Sequence, residues 1–380
     1  MPRKIYSNLL LVEDDKLNRM LMGQYLEGED HQVTFAVNGR EALELLVKQP
    51  FDMVLLDIEM PEMNGYQVLN HVMADPKLRD IPIIVTSGVD QLESVVRCIE
   101  MGAEDYLTKP VNRVLLKARI DASLEKKHLR DIQKATLQRL EREMEIARNT
   151  QMSILPEKLP NPIGYEFGAL MIPARAVGGD FYDVIPMQNE RWGILIGDVT
   201  DKGLPAALYM TLTYSLLRSE ASRETAPDQA LINVNHYLLG MNAANMFVTV
   251  LCGILDTKSH KFDYARAGHL APVIVDSKGN MRSAALQQSQ PIGIFDNLMI
   301  DRGSISIPKN GTLLFFSDGV SEAVNEQDEQ FDEKRLGLVL RECSALNPTE
   351  ICNKLWQEVQ DHGGSVLQQD DFTVLAIRHK

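Results

Sequence analysis

This sequence of 380 residues has few cysteines, no long apolar run and no excess of basic residues. The four cysteines form no CxxC pair, which is typical of reduced structural thiols in a cytosolic protein. No apolar run approaches the roughly 18–20 residues that span a bilayer, and the basic residues 1–6 lack the apolar core of a signal peptide. These absences predict a cytoplasmic protein without a membrane partner.

Basic residues are scarce relative to acidic ones, with 39 Lys and Arg against 53 Asp and Glu. Phosphate-backbone contacts need clustered basic side chains, so the net charge of −14 predicts no nucleic-acid partner. The hydrophobic content of 44% is ordinary for globular proteins, and the length fits two domains joined by a connector.

Four aspartates in the second half of the chain adjoin apolar runs that have the pattern of strands. They are Asp180, Asp198, Asp318 and Asp370. Carboxylates at strand ends can converge at one mouth of a β structure, where they repel one another unless cations neutralise them. All-oxygen sites suit Mg²⁺ or Mn²⁺. The pattern therefore predicts a metal-dependent hydrolase site.

The first segment, to about residue 122, alternates short apolar runs with amphipathic helical patterns, which is typical of a parallel α/β sheet. The predicted strands are Leu9–Val12, Gln32–Ala36, Met53–Asp57, Ile83–Thr86 and Asp105–Leu107. Helical stretches such as Lys16–Glu27 and Gly39–Lys48 lie between them.

Five polar residues follow or end these strands and should meet at one edge of the sheet. Glu13 and Asp14 can hold Mg²⁺, and Asp57 can act as the nucleophile toward a phosphoryl group. Thr86 and Lys109 can bind the phosphoryl oxygens. A single buried acid beside a lysine would instead be a structural ion pair, but the ordered set favours the phosphoryl site.

The same residues, with Met60-Pro61, Gly65 and Lys109-Pro110, make residues 5–122 resemble a two-component receiver domain. The resemblance implies phosphorylation of Asp57 by a histidine kinase or another phosphotransfer donor. It also implies Mg²⁺ at Glu13, Asp14, Asp57 and the Glu59 carbonyl. Thr86 and Tyr106 match the switch pair of that family.

A connector at residues 123–155 belongs to a stretch, Arg113 to Ile154, that contains neither proline nor glycine and predicts one long helix. Its apolar stripe consists of two runs that are out of phase with each other, so no strict heptad persists: Leu129 and Ile132, then Leu137, Leu140, Met144 and Ala147. The stripe fits either an amphipathic helix lying on one domain or a parallel dimeric coiled coil. We favour the coiled coil and hence a homodimer, because so long a helix needs a partner for its stripe.

The third segment, residues 156–380, predicts an α+β sandwich with helices on the outer faces. Tyr165–Pro173, Asp180–Pro186 and Trp192–Asp198 are closely spaced strand candidates, as expected for antiparallel pairing. Later strands and four helices follow, ending with the strand Phe372–Arg378.

Short motifs in this half resemble the RsbU/SpoIIE-type serine phosphatases of the PPM (phosphatase-2C-like) superfamily. They include Gly178-Gly179-Asp180, Gly197-Asp198-Val199, Ala267-Gly268-His269, Ser317-Asp318-Gly319 and Asp370-Asp371-Phe372-Thr373. The resemblance implies a catalytic centre of two Mn²⁺ or Mg²⁺ ions, held by Asp180, Asp198, Asp318, Asp370 and the Val199 carbonyl.

Several side chains near these motifs allow two interpretations. Asp371 adjoins Asp370, and only the spacing to Thr373 favours Asp370 as the ligand. Asp183 fits a residue that supports the metal ligands or a strand-end cap, and Arg175 fits a substrate-phosphate contact or a surface arginine. His269 we interpret as structural.

The combined prediction is a response regulator whose output is a protein serine/threonine phosphatase controlled by Asp57. The phosphatase resemblance implies a phosphorylated STAS-type anti-sigma-factor antagonist as substrate, in a partner-switching system. The alternative is a non-catalytic adaptor, in which the phosphatase fold binds a regulatory partner when Asp57 is phosphorylated.

Overall fold

The computed structural model describes residues 6–88, 92–241, 246–285 and 287–380, with only the backbone described for residues 92–95. The start of the predicted first domain, residues 1–5, lies outside this part of the chain. The chain divides into two compact units, Met1–Leu140 and Glu141–Lys380, and each unit has its own hydrophobic cores.

The first unit is a five-stranded sheet with helices on both faces. Its elements are β1 (Asn8–Val12), α1 (Lys16–Glu27), β2 (Gln32–Ala36), α2 (Gly39–Lys48), β3 (Met53–Asp57), α3 (Gly65–Ala74), β4 (Ile83–Gly88), α4 (Leu92–Glu100), β5 (Asp105–Lys109) and the first turns of α5 (Arg113–Ile154). All strand pairs are parallel, in the order β2-β1-β3-β4-β5. This confirms the predicted doubly wound receiver sheet.

Successive side chains of β1 point to opposite faces of the sheet, and each face is covered. Leu9 and Leu11 pack with Leu116 and Ile120 of α5, while Leu10 and Val12 belong to the other core, on the side of α2 and α3. The apolar run of β1 therefore has no polar alternation, because neither face meets water.

Helix α5 has the length that the absence of proline and glycine predicted, and it changes its surroundings along its course. One face of its first turns, with Leu116, Ile120 and Leu124, is buried in the first unit. The stripe residues Leu129, Leu137 and Leu140, by contrast, are 61%, 53% and 47% exposed in the single chain. The coiled coil stays a prediction. Within the described ranges, no helix is both long and apolar enough to cross a membrane.

The second unit contains two five-stranded antiparallel sheets. One has the order β13-β10-β9-β8-β7 and the other β12-β11-β14-β15-β6. The strands are β6 (Tyr165–Ile172), β7 (Phe181–Pro186), β8 (Arg191–Val199), β9 (Val248–Asp256), β10 (Lys261–Ala267), β11 (Val273–Val275), β12 (Met281–Ser283), β13 (Asp301–Ser306), β14 (Thr312–Phe316) and β15 (Phe372–His379). The helices are α6 (Leu204–Ser222), α7 (Pro227–Met241), α8 (Asp318–Ser321), α9 (Asp332–Glu342) and α10 (Pro348–Gly363).

Three hydrophobic cores show how these layers stack. The central core joins side chains from the inner faces of both sheets, such as Ile196 and Leu251 with Phe315 and Leu375. A second core lies between the first sheet and α6 and α7, and a third between the second sheet and α9 and α10. The predicted sandwich with helices on its outer faces is confirmed.

The pairing of β6 differs from what its spacing predicted. Strands β7 and β8 are antiparallel neighbours, but β6 belongs to the other sheet, where Phe372 lies opposite Ile172. Closeness in sequence favoured a β6–β7 hairpin, whereas burial of apolar residues on both faces of β15 stabilises the distant pairing instead.

Candidate metal centres

Three acids of the first unit lie together where β1 and β3 end. One carboxylate oxygen from each of Glu13, Asp14 and Asp57 lies within 4.8 Å of the others, and no other such acidic, histidine or cysteine group occurs among the described residues. The Lys109 Nζ lies 2.8 Å from Glu13 Oε2 and 2.7 Å from Asp57 Oδ2. The lysine therefore offsets much of the repulsion between the two buried acids.

The pKa of Asp57 is raised to about 6, mainly by burial; the hydrogen bond from Lys109 lowers it and the charge of Glu13 adds to the increase. The Glu59 N–H donates to Asp57 Oδ1 at 3.3 Å. Thr86 lies opposite Asp57 on β4, and its buried Oγ1 has no hydrogen-bond partner among the described residues. A free hydroxyl beside a carboxylate suits an incoming phosphoryl oxygen. Tyr106 lies on β5, half-buried, with the Arg119 guanidinium 5.8 Å from its ring centroid.

Antiparallel pairing explains how four aspartates so distant in sequence reach one edge of the sandwich. Asp180 directly precedes β7 and Asp198 lies near the end of β8, and Phe181 pairs with Gly197 across these two strands. In the other sheet, Asp318 follows β14 and Asp370 precedes β15. The start of one strand adjoins the end of its antiparallel neighbour, so each sheet contributes two acids.

Electrostatic coupling shows that these carboxyls share one environment. Burial, and then the charges of Asp198 and Asp371, raise the pKa of Asp180 well above its usual value. Burial and then the charge of Asp318 raise the pKa of Asp198 to about 8. Burial and then Asp370 raise the pKa of Asp318. The buried Asp180 Oδ2 has no hydrogen-bond partner in the described chain, so this donor set fits divalent cations.

The adjacent acids Asp370 and Asp371 have different partners. The Asp371 carboxylate accepts the Ala174 N–H at 2.8 Å through Oδ1 and the Gly179 N–H at 2.6 Å through Oδ2. Asp370 is partly exposed and pairs with Lys202, whose Nζ lies 2.9 Å from its Oδ2. Asp371 therefore organises the loop before β7, and Asp370 faces a cation.

Two glycines allow the loop before Asp180 to approach its neighbours. A Cβ on Gly178 would lie 2.5 Å from Asp371 Oδ2, and one on Gly179 would lie 2.8 Å from the Val199 carbonyl oxygen. Only residues without a side chain fit here. Arg175 precedes this loop and is exposed, and its guanidinium lies close to Gly203, at the start of α6.

Asp183 and His269 have hydrogen-bond partners other than the four acids. Asp183 accepts hydrogen bonds from the Tyr214 hydroxyl at 2.8 Å and from Arg218, which joins β7 to α6. The His269 Nδ1 lies 3.0 Å from Thr249 Oγ1. Burial, and then the charge of Arg266, lower the pKa of His269 to about 3, so the ring is neutral.

Two residues at this site were not found from the sequence. Lys202 belongs to the motif that contains Asp198, but it was not assigned a role. Gln151 continues the apolar stripe of α5 after Met144 and Ala147, and a polar residue at a stripe position was an available signal. Gln151 is buried and bonds to Gly178.

Both halves of the chain match known protein families. The family model described as Stage II sporulation protein E (SpoIIE) matches residues 188–380, and the response regulator receiver domain matches residues 9–121. Protein IcfG of Synechocystis is 30% identical over 62% of this chain and 41% of its own length. Phosphoserine phosphatase RsbU of Bacillus subtilis is 29% identical over 64% of this chain and 72% of that protein.

Solved structures show the same fold in the second unit. The SiaA-PP2C domain of Pseudomonas aeruginosa aligns with a TM-score of 0.58 and 20% identity, covering 65% of this chain and 99% of that domain. The RsbU and RsbW domains of Rv1364c from Mycobacterium tuberculosis align with a TM-score of 0.51 and 24% identity, covering 57% and 60%. The chain therefore belongs to the SpoIIE family, with a receiver domain preceding a SpoIIE domain whose fold is similar to that of the solved PP2C domain.

Proposed function

We propose that this chain is a response regulator whose output is a metal-dependent protein serine/threonine phosphatase. The observation that carries the proposal is the shared edge of the sandwich, where Asp180, Asp198, Asp318 and Asp370 converge. The raised pKa values indicate negative charge that the protein itself does not neutralise, which is what resident cations would supply.

In this proposal the four aspartates and the Val199 carbonyl hold two Mn²⁺ or Mg²⁺ ions. Such ions would activate water for in-line attack on a phosphate monoester and offset charge on the phosphoryl oxygens. The bonds from Asp371 to the loop before β7 support Asp370 as the fourth ligand.

Lys202 and Arg175 are two cationic side chains that could orient an anionic substrate. Lys202 pairs with Asp370, and the Arg175 guanidinium is close to Gly203, the residue after Lys202. We propose that both meet the phosphate or the acidic surface around it.

The receiver site supports control by phosphorylation of Asp57 with Mg²⁺ at Glu13, Asp14, Asp57 and the Glu59 carbonyl. Asp57 is nearly buried yet reaches the edge of the sheet, and the free Thr86 hydroxyl and Lys109 are available to a phosphoryl group. Thr86 and Tyr106, on neighbouring strands, would convey the change to the surface. The phosphoryl group would come from a histidine kinase or another phosphotransfer donor.

The substrate and the assembly rest on resemblance and on α5. A phosphorylated STAS-type anti-sigma-factor antagonist in the cytoplasm is the proposed substrate, by analogy with the phosphoserine phosphatase RsbU. The exposed stripe of α5 supports a homodimer through this helix. A cysteine placed at Leu140 should form an intermolecular disulfide on oxidation, and a monomer under those conditions would contradict the dimer.

Hydrolysis of p-nitrophenyl phosphate and of a phosphoserine STAS protein, with and without Mn²⁺, tests the proposal. We expect Mn²⁺-dependent turnover that changes when acetyl phosphate modifies Asp57. Asp57→Asn should keep the basal rate and lose the response. Partner binding without turnover in any metal would support the adaptor instead, and a response retained in Asp57→Asn would contradict control through this residue.

A further inference from the structure

Gln151 joins the last turn of α5 to the loop that carries Asp180. The side chain is 5% exposed, and its Nε2 donates to the Gly178 carbonyl at 2.7 Å, while the Gly178 N–H donates to its Oε1 at 3.1 Å. Both backbone polar groups of Gly178 are thus satisfied by one amide. A buried amide paired in this way has a single favourable position.

The same loop is held from its other side by Asp371. The Gly179 N–H donates to Asp371 Oδ2, and the Asp180 N–H lies 3.4 Å from the same oxygen. Leu155, directly after α5, packs in the core that contains Phe181, the residue after Asp180. The end of α5 therefore bonds through Gln151 to the segment before Asp180 and shares a hydrophobic core with the residue after it.

We infer that Gln151 is a positioning residue that couples α5 to the metal ligand Asp180. This inference rests on the proposed function, in which α5 conveys the state of the receiver. A rotation or shift of the last turn of α5 must either break both bonds to Gly178 or move the loop with it. Because Asp180 lies two residues after Gly178, a movement of the loop changes the position of the Asp180 carboxylate.

The test replaces Gln151 with methionine, which has a similar shape but makes neither hydrogen bond. Mn²⁺ affinity is measured by calorimetric titration of the full chain, with an Asp198→Asn protein run alongside to identify binding at the receiver. We expect Q151M to weaken Mn²⁺ binding at the phosphatase centre by about 10–100-fold, the usual effect of losing a residue that orients a metal ligand. The ratio of activities with and without acetyl phosphate should move toward one.

Asn235 offers a matched control in the same unit. It is also buried, its Nδ2 donates to the Phe295 carbonyl at 2.9 Å, and its Oδ1 accepts the Gly293 N–H at 2.8 Å. Asn235→Leu removes a comparable pair of bonds that involves none of the four aspartates. Both variants should lower the melting temperature, but only Q151M should change Mn²⁺ affinity and the response to acetyl phosphate.

The outcomes separate this inference from the proposed function. Equal Mn²⁺ affinity in Q151M and the wild type overturns the inference even if the enzyme is active, and so does an equal loss in N235L. An inactive wild type would contradict the proposed function, while the calorimetric comparison would still decide the role of Gln151. A wild type that binds Mn²⁺ only at the receiver would overturn both.

Discussion

The two acidic sites of this chain neutralise their charge in different ways. In the receiver, Lys109 contacts both Glu13 and Asp57, and the pKa of Asp57 rises only to about 6, with burial as the main cause. At the phosphatase edge, the pKa of Asp198 rises to about 8, and Lys202 pairs with the partly exposed Asp370.

This difference in how lysines offset the acids indicates how strongly each site depends on metal ions. In the receiver, Lys109 offsets part of the negative charge before an ion binds, as suits a site that must also accept and lose an anionic phosphoryl group. The phosphatase acids remain partly protonated or mutually repelling without cations. The comparison therefore predicts a stronger dependence on metal for the second site.

The largest effect should come from removing one phosphatase ligand. Asp198→Asn should lower turnover of p-nitrophenyl phosphate by roughly 10²–10³-fold, as for loss of an electrostatic group at an active site. The exposed Asp263→Asn serves as the control. Steady-state rates at saturating Mn²⁺ measure the effect. If D198N kept most of the activity, the four-aspartate centre would be wrong.

Without Lys109, the receiver acids should depend on metal ions more strongly, as the phosphatase acids do. Lys109→Met leaves Glu13 and Asp57 without their shared cation and should destabilise the metal-free first unit by about 1.5–3 kcal/mol. Urea unfolding followed by a probe in the receiver measures this loss, which Mg²⁺ should largely reverse. Lys117→Met, which affects a more exposed pair with Glu29, is the control and should change little. Equal losses in the two variants would contradict the balancing role of Lys109.

The pH dependence of metal binding should differ between the sites. A raised carboxyl pKa keeps the proton bound to a higher pH, and a metal ion must displace that proton. Mn²⁺ affinity at the phosphatase centre should therefore fall as the pH drops below about 8, by up to about tenfold per pH unit for one proton. Mg²⁺ affinity at the receiver should stay level until the pH approaches about 6. Calorimetric titrations at several pH values measure both affinities. If the two affinities changed with pH in the same way, the proposed difference between the sites would be contradicted.

The smallest effect should come from the cation at the phosphatase edge. Lys202 and Asp370 are 35% and 41% exposed, so their ion pair is screened by solvent. Lys202→Met should change the free energy of unfolding by only about 0–1 kcal/mol. A larger loss, compared with Lys258→Met at the exposed pair with Glu190, would mean that this site too is balanced by a lysine.

Much of the receiver followed from local sequence patterns. Strand β3 is an unbroken apolar run that ends at Asp57, and parallel strands place their carboxyl ends at one edge, so the cluster was predictable. The strand pairing of the sandwich was harder to predict from the sequence. Strand β6 resembled a hairpin partner of β7, but its partner β15 lies at the other end of the chain, and no local signal marks such a pairing.

By itself, the sequence determined the element types, the long α5 and the acids that end apolar runs, because periodicity, helix propensity and breakers act over a few residues. Only the tertiary structure showed that the adjacent residues Asp370 and Asp371 have different partners, because successive side chains beside a strand point to different sides. Asp371 bonds to the loop before β7 and Asp370 does not. The same holds for Gln151, whose partner Gly178 is brought to it by the folding of the whole second unit.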